Sequence, residues 1–89
     1  MTLPEFAIAI FQYCALSGGS VTSWIRSPLH NDASGGVKGS PHLFGCGADV
    51  VYDSPGSAAR RNALALRCGL LRIEEADHDH LQPIGWPAG

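Results

Sequence analysis

Residues 70–83, LLRIEEADHDHLQP, predict two β-strands joined by a turn. Leu70 to Ile73 is rich in the residue types that favour a β-strand, and Glu74 to Asp77 has the composition of a turn. His78 to Pro83 then returns as a strand, antiparallel to the one before it. Because side chains alternate along a strand, His78 and His80 are expected to project from the same face.

Two more elements precede this pair of strands. Residues 57 to 68 predict a helix with Ser57 as its N-cap and Gly69 as its C-terminal stop. Ala48 to Tyr52 predicts another strand, separated from that helix by the turn Asp53–Gly56. The remaining elements lie nearer the N-terminus.

The N-terminal third predicts a helix followed by a strand. Residues 3 to 16 are expected to be helical, with Thr2 as the N-cap and the Gly18-Gly19 pair as the stop. Its buried face is predicted from apolar spacing, with Ala9 beside it: Phe6, Ile10 and Tyr13. Val21 to Arg26 predicts the first strand, and residues 27–41 a long loop that rims the site described below. The expected fold class is α+β, a small antiparallel sheet with helices on one side.

Length and composition set further bounds. Eighty-nine residues are expected to form one domain, 1–89, and 45% hydrophobic with 16% charged residues is a globular composition. The formal net charge of −2 argues against a nucleic-acid partner, since binding to phosphates needs a basic surplus. The apolar run 6–11 is too short to span a membrane, and no Lys or Arg precedes it, which disfavours a secretory signal peptide.

The three cysteines indicate free thiols in a reducing compartment, because their number is odd and no C-x-x-C pair occurs. The same lack of paired cysteines disfavours a zinc finger. We expect Cys46 to be a small buried residue and not a metal ligand.

A zinc site is predicted from His42, Asp49 and His80. Zn²⁺ in a hydrolytic site takes three His or carboxylate ligands and keeps one open position for water. The small residues Gly45-Cys46-Gly47 allow the chain to turn between His42 and Asp49. Taken alone, this spacing is more typical of a surface His and a solvated Asp, and the cluster 74–80 of a solvated acidic turn.

Three blocks of the sequence, taken together, resemble the M15 family of zinc peptidases. Ser40-x-His42-x-x-Gly45-x-Gly47-x-Asp49 resembles the family pattern S-x-H-x-x-G-x-A-x-D, and Asp77-x-x-His80 resembles its E/D-x-x-H. Upstream, residues 23–28 (SWIRSP) resemble the S-x-x-R-[ST/C]-P segment. The family contains D-alanyl-D-alanine carboxypeptidases, dipeptidases and phage L-alanyl-D-glutamate endolysins. The resemblance covers about residues 20 to 82 and implies the M15 core, shared by hedgehog and DD-peptidase domains.

The resemblance also implies roles for individual residues. His42, Asp49 and His80 would bind Zn²⁺, and Asp77 would be the catalytic base. Arg26 would neutralise negative charge on the substrate or the oxyanion.

Two further roles follow from the same resemblance, with one alternative. Ser40 would bind substrate or orient the loop, and His78 would stabilise the tetrahedral intermediate. The alternative assignment keeps the E-x-x-H spacing but takes His78 as the ligand and Glu75 as the base.

The expected function is hydrolysis of peptide bonds in bacterial peptidoglycan stem peptides. The sequence departs from the family pattern in three ways. It has Gly47 where the family usually has Ala, and its length is below that of typical members. It also has Asp77 where Glu is commoner, which favours the endolysin type. We expect synthesis in the cytoplasm and action at the cell wall after release, with a phage or prophage origin. The alternatives are a non-catalytic zinc-binding or wall-binding structural protein that retains the fold, and a viral assembly or interaction protein without metal. The bond cleaved and the oligomeric state are not predicted.

Overall fold

A computed structural model describes residues 1–24 and 46–85. Within these ranges the chain forms two helices and four strands, in this order: α1 Leu3–Ser17, β1 Gly19–Ser23, β2 Ala48–Tyr52, α2 Ala58–Arg67, β3 Leu70–Glu74 and β4 Asp79–Pro83. The fold class is therefore a small α+β arrangement, as predicted. Several predicted features lie outside the described residues: Arg26, loop 27–41 with Ser40, His42, Gly45 and Trp86.

Helix α1 begins and ends where local sequence predicted. Thr2 and Glu5 form a capping box, in which the Thr2 hydroxyl accepts from the Glu5 backbone N–H at 3.3 Å and the Glu5 carboxylate accepts from the Thr2 N–H at 2.7 Å. Gly18 ends the helix at φ 76°, a left-handed conformation that glycine adopts without steric cost. The stop was predicted for both glycines, but Gly19 already belongs to β1, so this strand begins two residues earlier than predicted.

The four described strands form an open antiparallel sheet in the order β1-β2-β4-β3. Strands β3 and β4 pair as the predicted antiparallel hairpin, with Glu74 opposite Asp79 and Leu70 opposite Pro83. Strand β4 also pairs with β2, which precedes it by a whole helix and strand in the sequence. The central position of β4 places its side chains between those of two neighbouring strands.

Both helices pack on the same face of this sheet. Helix α2 starts at the predicted N-cap, where the Ser57 hydroxyl accepts from the Arg60 backbone N–H at 3.1 Å. The core contains the whole predicted face of α1 together with the inward side chains of α2 and the strands: Phe6, Ala9, Ile10, Tyr13, Cys46, Ala48, Val50, Ala65, Leu70 and Leu81. Cys46 and the predicted face of α1 are buried, as expected from the sequence.

The alternation of side chains assigns the polar residues of the central strands to the opposite face. Ala48 and Val50 of β2 and Leu81 of β4 point into the core, so Asp49, His80 and Gln82 project from the other side of the sheet.

In the described part of the chain, no helix is long and apolar enough to cross a membrane.

Candidate metal and catalytic site

Asp49 and His80 lie side by side across the pairing of β2 with β4. They are register partners in this antiparallel pair, so both side chains lie on the same face. Both residues are buried, with 6% and 9% of their surface exposed. His80 Nδ1 lies 3.4 Å from Asp49 Oδ1. The fold thus brings together two of the three predicted zinc ligands from positions 31 apart in the sequence.

The contact with Gln82 determines which nitrogen of His80 carries the proton and which carries the lone pair that faces Asp49. Gln82 Oε1 lies 2.9 Å from His80 Nε2, and a carboxamide oxygen can only accept, so Nε2–H donates this hydrogen bond. In the neutral imidazole, Nδ1 then carries the lone pair, and it is directed towards a carboxylate oxygen. Such a contact becomes favourable when a cation, either a proton on Nδ1 or a metal ion, lies between the two atoms.

Gln82 was missed in the sequence interpretation. The signal that identifies it is its position two residues after His80 on a predicted strand, which places both side chains on the same face. Metal-binding histidines typically donate their other ring N–H to an acceptor of this kind.

His78 approaches the same oxygen of Asp49 from the end of β4. Its Nε2 lies 3.6 Å from Asp49 Oδ1, and its Nδ1 lies 2.6 Å from Asp77 Oδ1. The Asp77 carboxylate accepts the Nδ1–H, so Nε2 is the nitrogen left with a lone pair in the neutral ring. The Asp77 side chain is 87% exposed, whereas that of His78 is 29% exposed. Asp77 therefore orients an imidazole whose other nitrogen faces the Asp49–His80 pair.

The contact between Asp77 and His78 is that of a carboxylate that orients an imidazole. A carboxylate on one imidazole nitrogen fixes the tautomer and stabilises the imidazolium that forms when the other nitrogen takes up a proton. This coupling was not predicted, because the sequence interpretation assigned separate roles to the two residues. Adjacent positions on a regular strand point to opposite faces, whereas these two lie at the hairpin end, before the first residue of β4.

Glu75, the base in the alternative assignment, lies in the same hairpin. Its backbone N–H donates to the carbonyl of His78 at 3.0 Å, which closes the turn between β3 and β4. Both His78 and His80 approach Asp49 Oδ1, at 3.6 and 3.4 Å, so either histidine is near enough to share a cation with that carboxylate.

A cleft of about 350 Å³ adjoins His78 at this end of the sheet. Its lining is mainly polar and includes both Asp77 and Glu75: Val51, Tyr52, Pro55, Arg61, Glu74, Glu75, Ala76, Asp77, His78 and Asp79. Its volume falls within the range of small-molecule sites, about 300–1,000 Å³. Asp49 and His80 are not among its lining residues.

Two of the three predicted zinc ligands, Asp49 and His80, lie within the described residues. Within residues 1–24 and 46–85, no group of three or more His, Cys, Asp or Glu side chains has an arrangement that could hold a metal ion. The predicted third ligand, His42, lies outside these ranges, as do Arg26 and Ser40. The described site consists of Asp49, His80, His78 and Asp77.

Comparisons with models of protein families, with curated proteins and with solved structures found no match.

Proposed function

We propose that this protein is a zinc-dependent peptidase that hydrolyses peptide bonds in peptidoglycan stem peptides, with the core of the M15 family that its sequence resembles. The observation that carries the proposal is the approach of His80 Nδ1 to Asp49 Oδ1 at 3.4 Å, with Gln82 on the opposite nitrogen. Two side chains that the family pattern names as ligands are register partners, although the pattern contains no information about strand pairing.

The two donor atoms fit a tetrahedral zinc site. Bonds of about 2.0–2.1 Å to nitrogen and oxygen place two ligands of a tetrahedron about 3.3–3.4 Å apart. The 3.4 Å between His80 Nδ1 and Asp49 Oδ1 agrees with this separation. Gln82 supplies the second contact expected of a metal-binding histidine, since such residues donate their other N–H to an acceptor. His42 is the proposed third ligand.

In the proposed mechanism the chain's own residues handle protons and charge. A zinc ion bound by Asp49, His80 and His42 would supply a water of lowered pKa and polarise the scissile carbonyl. Asp77 takes the proton from the attacking water and passes it to the leaving amine, while the Nδ1–H that it accepts from His78 holds the imidazole in place. His78, whose Nε2 lies 3.6 Å from Asp49 Oδ1, stabilises the negative charge that develops on the substrate. Arg26 and Ser40 retain the roles that the resemblance implies, on the oxyanion and the substrate.

The proposed place of action is the bacterial cell wall, and a phage or prophage origin is proposed with it. Both rest on the resemblance to the endolysin type.

Metal content and peptidoglycan digestion test this proposal together. The purified chain is expected to contain about one zinc per molecule, to lose thermal stability when treated with a chelator, and to release stem-peptide fragments that mass spectrometry identifies. Wild-type protein with no zinc after loading and with unchanged stability in chelator would refute the metal site.

Four substitutions separate the roles. Asp77→Asn is expected to keep zinc and to reduce turnover by about 10²–10⁴-fold, as the loss of a general base does. Asp49→Asn is expected to lose zinc and activity together. Asp53→Asn, a matched change at an exposed aspartate in the turn after β2, should alter neither. Zinc binding without turnover in the wild type would favour the non-catalytic alternative, and loss of activity in Glu75→Gln but not in Asp77→Asn would reassign the base.

A further inference from the structure

Asp79 lies between the two site histidines in sequence, but its side chain points to the opposite face of β4. There it is buried, with 3% of its surface exposed, on the side of the sheet that the helices cover. A carboxylate buried to this extent needs charged or hydrogen-bonding partners. Its partners come from three other elements of the fold.

Three groups donate hydrogen bonds to the Asp79 carboxylate. Arg72 Nη1 of β3 donates to Oδ1 at 2.7 Å, and Arg61 Nε of α2 donates to Oδ2 at 3.0 Å. The Tyr52 hydroxyl of β2 donates to Oδ2 at 2.8 Å. We refer to Asp79, Arg61, Arg72 and Tyr52 as the Asp79 cluster. Strand β4 is thereby tied through one side chain to both neighbouring strands and to the helix above them.

The two arginines are also largely buried, and both contact a second carboxylate. Their side chains are only 11% (Arg61) and 5% (Arg72) exposed, and both also contact Glu74 Oε1, at 3.1 and 3.3 Å. Burial alone would lower the pKa of Arg72, but the charge of Asp79 and the hydrogen bonds to Glu74 and Asp79 raise it by more in total. The Arg61 guanidinium also lies over the Tyr52 ring, 5.4 Å from its centre.

We infer that Asp79 is a positioning residue that sets the register of β4 and so presents His78 and His80 to Asp49. A slip of one residue would exchange the two faces of the strand, placing the histidines among core side chains and Asp79 beside Asp49. Selection of one register is the best-attested role of buried polar and ionic groups. The inference deepens the proposed function, on which its metal readout rests, while its structural readout is independent of zinc.

The test compares Asp79→Asn with Leu81→Ala. Leu81 is the next core residue on the same face of β4 and is fully buried, so its truncation lowers stability without removing a charge. The first readout is the ¹⁵N imidazole signals, which report tautomer and hydrogen bonding and are few because the chain has four histidines. The second is zinc affinity, measured by competition with a chromophoric chelator.

Asp79→Asn is expected to shift the His80 and His78 imidazole signals and to weaken zinc binding by about 10–100-fold, as the loss of groups that orient metal ligands does. Leu81→Ala is expected to lower the melting temperature but to keep both signals and a zinc affinity within about threefold of wild type. Should Asp79→Asn fail to fold, Tyr52→Phe removes one of the three donors and should shift the same signals in the same direction.

Equal effects of Asp79→Asn and Leu81→Ala on the imidazole signals would overturn the inference, and so would unchanged signals in a folded Asp79→Asn or Tyr52→Phe protein. If the wild-type protein takes up no zinc, the proposed function fails, but the imidazole signals still decide the role of Asp79.

Discussion

Tyr13 and Tyr52 form a hydrogen-bonded chain whose direction can be tested by a double-mutant cycle. The two hydroxyls lie 2.6 Å apart, and that of Tyr52 is also 2.8 Å from Asp79 Oδ2. A hydroxyl can donate only one hydrogen bond, and the Tyr52 hydroxyl donates its bond to Asp79. Tyr13 must therefore be the donor in the Tyr13–Tyr52 bond. Tyr52→Phe therefore removes a donor from Asp79 and an acceptor from Tyr13, whereas Tyr13→Phe removes only one neutral bond.

The magnitudes follow from burial and charge. A hydrogen bond to a charged group contributes about 1.5–3 kcal/mol, and a buried polar group left unpaired costs about 1–3 kcal/mol. Tyr13 is fully buried, so its hydroxyl would be such a group in Tyr52→Phe. We expect Tyr52→Phe to lower the free energy of unfolding by about 2–4 kcal/mol and Tyr13→Phe to lower it by about 0.5–1.5 kcal/mol. The double variant should be no less stable than Tyr52→Phe alone, which gives a coupling energy at least equal to the cost of Tyr13→Phe, about 0.5–1.5 kcal/mol.

Urea unfolding of the four proteins, with a common m-value, measures this cycle. The two rings are retained, so the contact of Arg61 with the face of the ring at position 52 should persist in every variant. Additive effects, with a coupling energy below about 0.3 kcal/mol, would refute the proposed chain of donors.

The contribution of Tyr13 and Tyr52 to the free energy of unfolding is expected to depend on pH. Burial is the largest cause that raises the pKa of both tyrosines in the folded protein. The folded state therefore keeps these protons while the unfolded chain loses them above about pH 10, so the stabilisation is complete below pH 10 and declines as the pH rises further. The slope is at most about 1.4 kcal/mol per pH unit for each tyrosine. The Tyr13→Phe/Tyr52→Phe protein should lose that part of the slope in urea titrations between pH 9 and 11, and an unchanged slope would contradict the assignment.

Three further changes test the helix cap, the first strand and the site. Thr2→Ala removes the α1 cap and is expected to lower the free energy of unfolding by about 0.5–2 kcal/mol in thermal melts, whereas Thr2→Ser should keep most of it. Gly19→Ala would drive its Cβ into the stiff side chain of Val50, so a loss of about 1–3 kcal/mol is expected, and an unchanged melting temperature would contradict this packing. Gln82→Leu removes the acceptor for His80 and should weaken zinc binding by about 10–100-fold in calorimetric titrations. Wild-type affinity in that variant would show that Gln82 does not orient the ring.

Much of the fold could be predicted because its signals are local. The Thr2 cap, the Gly18 stop and the apolar spacing of Phe6, Ile10 and Tyr13 all act within a few residues of chain, and they predicted α1 almost to its last residue. The β3–β4 hairpin was predicted for the same reason, since a short polar turn joins two runs of strand-forming residues. The first strand was placed two residues too late, because Gly19 was interpreted as part of the helix stop and not as the residue that packs against Val50.

The arrangement of the site could not be predicted in full, because it depends on contacts between residues that are far apart in the sequence. Alternation along a strand, read from the sequence, predicted that His78 and His80 project to one side of a strand and that Asp49 lies on another strand. In the structure β4 begins at Asp79, one residue after His78, and Asp49 is the register partner of His80, Gln82 contacts the His80 ring, and Asp77 bonds to His78. Register between distant strands depends on which of their faces can be buried together. In this protein the register of β4 depends on the hydrophobic core and on the Asp79 cluster, and most elements of the fold contribute residues to both.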